Sequence, residues 1–129
     1  MRLLLDSQAL LWAVYQPEKL TERVASAVRD DANVLFISLA TIWELANKAA
    51  LGRLPMVGTS VPLMIERFLA LGVEILPITQ PDVVAASTQP PHHLDPFDRM
   101  LVAQAQAHSL VIVTTDPDIP KYDVQILWR

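Results

Sequence analysis

The chain has 129 residues, 52% of them hydrophobic and 19% charged, with a formal net charge of −4. That length accommodates one domain with a sizeable core, and that composition excludes a disordered chain. The acidic balance repels nucleic acid as a whole, so a polyanionic substrate would need bound cations or a local basic patch, and a basic protein partner would be favoured.

The opening MRLLLDSQALLWAV carries an arginine and then leucines, as a leader peptide does, but Asp6 breaks the apolar run and no small-residue cleavage site follows. No apolar run approaches the roughly 20 residues that a membrane helix needs. The chain has no cysteine, which excludes disulfides and thiolate metal sites. A soluble protein of the cytoplasm is the expectation.

In chain order, LLL (3–5) reads as a strand and is followed by helical patterns over 7–14 and 21–30. VLFIS (34–38) precedes helical patterns over 39–51 and 61–71, and VEILPI (73–78) precedes one over 80–87. A last helical pattern covers 97–108, before the strands LVIVTT (110–115) and VQIL (124–127). LLL, VLFIS and LVIVTT lack polar alternation, as strands buried on both faces do. The alternation predicts an α/β fold, one domain over 1–129, with a mainly parallel sheet of about five strands covered on both faces. LGRLPMVGTSVP and QPPHHLDP read as surface loops within it. Within 39–51, Leu39, Ile42, Trp43, Leu45, Ala46, Ala49 and Ala50 form one apolar stripe expected in the core, with Gly52 as its C-terminal cap.

Four acids draw attention. Asp6 follows LLL and Asp116 follows LVIVTT, so both sit at carboxyl ends of parallel strands, where open α/β sheets bind ligands. Asp98 opens the last long helix, and Glu44 lies in the second turn of the helix after VLFIS. Each also has a plainer reading. Asp95-Pro96-Phe97-Asp98 is a good helix start, with Asp95 as N-cap and Asp98 favoured by the helix dipole, and Asp95 and Arg99 have the spacing of a helical ion pair. Asp6 before Ser7 and Asp116 before Pro117 also suit N-caps, and Glu44 faces away from the apolar stripe, where a solvated pair with Lys48 explains it.

His92 and His93 are adjacent on an extended loop, where side chains diverge, and no cysteine or helical histidine pair accompanies them. A loop role near the site, toward substrate or partner, is expected for them rather than zinc. His108 suits the C-terminus of its helix. Clustered acids without a thiolate would suit Mg²⁺ or Mn²⁺, which supports phosphodiester hydrolysis without a Ser or Cys nucleophile or a phosphate-binding glycine loop.

The segments LLLDSQALLWA, SLATIWELANKAALGRL, PPHHLDPFDRMLVAQA and VTTD, in that order, resemble PIN-domain ribonucleases of the VapC toxin type, nearly end to end and on to Tyr122 and Trp128. The resemblance implies a three-layer α/β/α sandwich and an endoribonuclease, the toxin of a type II toxin–antitoxin pair. It casts Asp6, Glu44, Asp98 and Asp116 as the catalytic acids that hold Mg²⁺ or Mn²⁺, with Asp95 as an outer acid and Ser7 where relatives often have threonine. It implies an RNA substrate, a homodimer, and a small VapB-like antitoxin lying across the acidic groove. Apolar positions for the antitoxin's helix would be Trp43, Leu54, Met56 and Met64, which core packing or a dimer contact explains equally well.

Two other readings stand beside this one. A phosphatase of the haloacid-dehalogenase type also starts with an Asp after its first strand, but it needs a second Asp where this chain has Gln8, and a downstream lysine. A non-catalytic PIN-like module would bind a partner or RNA without cleaving it.

Overall fold

Successive residues of a strand point to opposite faces of its sheet, and the opening leucines divide accordingly. Leu3 and Leu5 belong to one apolar cluster and Leu4 to another. The same alternation separates Leu35 and Ile37 from Phe36, and Val113 from Ile112. The central strands are therefore buried on both sides, which is why their sequences carry no polar alternation.

The computed structural model describes residues 1–54 and 59–129. Its strands are β1 (Arg2–Leu5), β2 (Val34–Ser38), β3 (Glu74–Leu76), β4 (Val111–Val113) and β5 (Gln125–Leu127). They form one sheet in the order β3-β2-β1-β4-β5, every neighbouring pair parallel, with Leu4 beside both Phe36 and Ile112. The helices are α1 (Ser7–Tyr15), α2 (Glu22–Arg29), α3 (Leu39–Ala50), α4 (Val61–Ala70), α5 (Gln80–Ser87) and α6 (Pro96–His108). Leu10, Val24, Leu45, Met64 and Phe68 bring α1 to α4 onto one face. Leu101, Val102 and Ala105 bring α6 onto the other, and α5 packs on α6. This is the expected three-layer α/β/α sandwich. Each fully buried leucine in it is worth about 1.5–3 kcal/mol relative to exposure.

The last strands are shorter than their apolar runs for local reasons. Pro77, which has no N–H to offer a ladder, follows β3. After β4, the Thr114 hydroxyl accepts the Asp116 N–H at 3.0 Å and turns the chain. α3 ends in a Schellman motif: Gly52, at φ +67°, donates to Ala49 O, and Arg53 donates to Lys48 O.

The stripe on α3 does not all enter the core. Ala40, Thr41 and Leu45 are buried, whereas Leu39 is exposed and Trp43 is 61% exposed. The apolar stripe is wider than the face the sheet can cover. Its outer edge instead meets α6, where the Trp43 and Phe97 rings stand edge to face at 5.3 Å. Together with Ile78, Val83 and Met100 they line an open apolar cavity of about 390 Å³. No helix among the described residues is long and apolar enough to cross a membrane.

Candidate active site

In a sheet ordered β3-β2-β1-β4-β5 the chain reverses its direction of travel between β1 and β4. The crevice outside the carboxyl ends of those two strands is where open α/β sheets place ligands. Asp6 follows β1, and Asp116 lies just beyond β4.

Asp6 is the N-cap of α1, with Oδ1 accepting the Ala9 N–H at 2.8 Å. Its other oxygen accepts the Thr114 hydroxyl. One oxygen of Asp6 thus serves the cap while the other meets a side chain from the neighbouring strand end. Asp6 is only 7% exposed. Burial pushes it up to about 6 from the usual carboxylate range, opposed by the Thr114 and Ala9 hydrogen bonds and reinforced by the negative charges of Asp116 and Glu44.

Asp98 sits in the first turn of α6, where Asp95 serves as N-cap and accepts the N–H groups of Phe97 and Asp98 at 2.9 and 3.2 Å. Asp95 takes the cap, so the Asp98 carboxyl is not spent on the helix end. Burial pushes Asp98 up to about 7, aided by Asp95, opposed by a hydrogen bond from His93, and raised further by Asp116 and Glu44. Asp98 Oδ2 lies 3.3 Å from His93 Nε2.

Glu44 pairs with Lys48 at 3.5 Å, as its spacing suggests, yet its side chain is mostly covered while that of Lys48 is not. It is thus not the fully solvated pair expected. Asp116 caps no helix. Its Oδ1 accepts the Asp118 N–H at 2.7 Å in a local turn, and the short helical turn that follows (Ile119–Lys121) starts after Asp118.

The structure brings all four acids to one edge, near enough that Asp116 and Glu44 raise both Asp6 and Asp98. Among the described residues no three acid or histidine side chains stand together at the separation of ligands to one ion. No lysine or arginine among the described residues forms an ion pair with Asp6, Asp98 or Asp116. An all-oxygen donor set, partly buried and short of positive charge, fits a hard divalent cation.

Two expectations for neighbouring residues fail. Arg99 forms no ion pair with Asp95; its guanidinium instead donates to the carbonyls of Gln89 (2.8 Å), Pro90 (3.0 Å) and Ala86 (3.3 Å). Carbonyls left over at the end of α5 are a better match for a five-donor fork than a carboxylate already capping α6. His92 and His93 do not diverge, since both rings pack on Tyr122, with centroids 4.8 and 5.4 Å away. Thr114 carries no charge to mark it in the sequence, and its one signal is a hydroxyl two residues before Asp116 in VTTD.

The family model for the PIN domain matches residues 3–125. The chain belongs to the PIN-domain family. Solved structures share this PIN fold over nearly the whole chain. VapBC2 from Rickettsia felis, bound to a DNA fragment from its promoter, aligns at TM-score 0.73 and 13% identity over 100% of both chains. DNA-bound VapBC from Salmonella typhimurium aligns at TM-score 0.74 and 16% identity, covering 98% of this chain and 97% of that one. FitAcB from Neisseria gonorrhoeae aligns at TM-score 0.67 and 24% identity, covering 97% and 96%. Among curated proteins, none matches this sequence.

Proposed function

We propose that residues 1–129 form a single PIN domain that cleaves RNA as a metal-dependent endoribonuclease, the toxin of a type II toxin–antitoxin pair. One observation carries the reading: Asp6 and Asp116 follow adjacent strands at the switch point of the sheet, and the charges of Asp116 and Glu44 reach both Asp6 and Asp98. PIN domains are in general nucleases, and family membership supports the assignment.

Asp6, Glu44, Asp98 and Asp116 would hold Mg²⁺ or Mn²⁺. Such an ion, when bound, polarises a phosphoryl oxygen and lowers the pKa of a bound water. The chain's own residues prepare the site. Thr114 and the Ala9 N–H hold both oxygens of Asp6 in place. Lys48 and Arg53 line an open groove of about 340 Å³ beside Glu44, Asp95 and Phe97. They supply the local positive charge that an RNA backbone needs on an acidic protein.

The relatives named above are VapBC and FitAcB assemblies, which supports a small antitoxin as partner; a homodimer and a cytoplasmic setting complete the proposal. A basic side chain of the antitoxin would suit the acidic crevice. Of the apolar positions expected to receive its helix, Trp43 is exposed and Leu54 half-buried, Met56 lies outside the described residues, and Met64 is buried in the core, out of a partner's reach.

The deciding experiment incubates purified protein with cellular RNA, in Mg²⁺, Mn²⁺ or chelator, beside Asp98→Asn. Metal-dependent cleavage lost in the variant is expected. Cleavage that survives chelation, or is equal in both proteins, rejects the mechanism, and no cleavage by either favours a binding module.

A further inference from the structure

The loop histidines do something that neither capping nor zinc explains. Tyr122 is buried, and the rings of His92 and His93 both pack against its ring. His93 Nδ1 lies 2.8 Å from the Tyr122 hydroxyl, and His93 Nε2 lies 3.3 Å from Asp98 Oδ2. Arg99, the next residue after Asp98, places Nη1 3.4 Å from the same hydroxyl and 3.4 Å from the His93 carbonyl. The three side chains form an unbroken path to one oxygen of Asp98.

We propose that His93 and Tyr122 are positioning residues for Asp98, holding its Oδ2 so that Oδ1 is presented to the divalent ion. This inference rests on the reading of the crevice as a metal centre.

The two ends of the path fix its direction. A guanidinium only donates and an ionised carboxylate only accepts. Arg99 therefore donates to the tyrosine oxygen, the tyrosine O–H donates to His93 Nδ1, and His93 Nε2–H donates to Asp98 Oδ2. One neutral tautomer satisfies every group. The end bonds, at 3.3 and 3.4 Å, are long, so the 2.8 Å tyrosine–histidine bond sets the ring. Arg99 keeps the loop in register by binding the carbonyls of Gln89 and Pro90. Outer partners of this kind orient ligating carboxylates, and their loss typically weakens metal binding about 10–100-fold.

The test titrates Mn²⁺ alone into the full chain, followed by electron paramagnetic resonance, with nitrogen NMR of the imidazole in parallel in mildly alkaline buffer. In Gln the side-chain nitrogen stands where His Nε2 stood, whereas Asn carries its nitrogen at the Nδ1 position. His93→Asn is expected to lose about tenfold in Mn²⁺ affinity, and Tyr122→Phe and His93→Gln, which each keep the donor to Asp98 but lose the tyrosine–histidine bond, several-fold. The wild-type His93 spectrum is expected to show Nε2 protonated and Nδ1 bare. Equal affinity in all four proteins, equal loss in Gln and Asn variants, or an Nδ1–H tautomer would overturn the inference. A wild type that binds no Mn²⁺ overturns the metal-centre reading itself, an outcome distinct from the other three.

Discussion

Thr114 ties the ends of the two central strands together: its hydroxyl donates to Asp6 and accepts the Asp116 N–H at 3.0 Å. That donation opposes the burial that pushes Asp6 up to about 6. Thr114→Val keeps the shape and removes the donor, so Asp6 is expected to ionise at higher pH. The acid limb of the pH–rate profile should move upward. An unmoved limb would show that the hydroxyl does not act through Asp6.

The raised carboxyls also make stability depend on pH. Asp6 and Asp98 ionise at about 6 and about 7 when folded, against 3.8 in the unfolded chain. The folded state binds more protons across that interval, so their contribution is full below 3.8 and lost as pH rises through the folded values. In chelator, wild type should lose stability relative to an Asp6→Asn, Asp98→Asn double variant as the pH is raised from acid to neutral. Thermal melts at matched pH provide the comparison, and parallel curves would contradict it.

Asp6→Asn separates two duties of one residue. Asparagine caps helices as well as aspartate does, and it carries no charge to bury. The variant is expected to melt at or above the wild-type temperature at neutral pH, yet to lose RNA cleavage and Mn²⁺ binding. An unfolded variant would mean that the cap at Ala9 N depends on the charge.

Strand and helix positions were legible because burial imposes a period on the chain. LLL, VLFIS and LVIVTT read as buried strands; β1 and β2 follow the first two, with Val34 exposed at the edge, and β4 takes only Val111–Val113 of the third. The cap at Asp95 was legible for a different reason, since capping is settled within four residues. What resisted reading was pairing between distant segments. Nothing in the sequence says that Arg99 reaches the carbonyls of the 86–90 turn instead of Asp95, or that Tyr122 draws both histidines to itself. The α3 stripe misled in a different way, because periodicity counts apolar side chains and not the width of the surface that receives them.

Met64 and Trp43 test that last distinction. Met64 is 1% exposed and Trp43 61%. Met64→Ala should cost about 2–5 kcal/mol, while Trp43→Ala, which loses mainly the edge contact with Phe97, should cost about 1 kcal/mol or less. Urea unfolding of the two variants measures both. The reverse order would mean that α3 and α4 pack differently from the arrangement described.

The central claim is that one divalent ion gathers acids from distant parts of the chain. Crystals grown with Mn²⁺ and measured for anomalous scattering locate the metal directly. The account predicts a peak at the carboxyl ends of β1 and β4, within ligand distance of Asp6 and Asp98. A peak elsewhere, or none at saturating Mn²⁺, would contradict it.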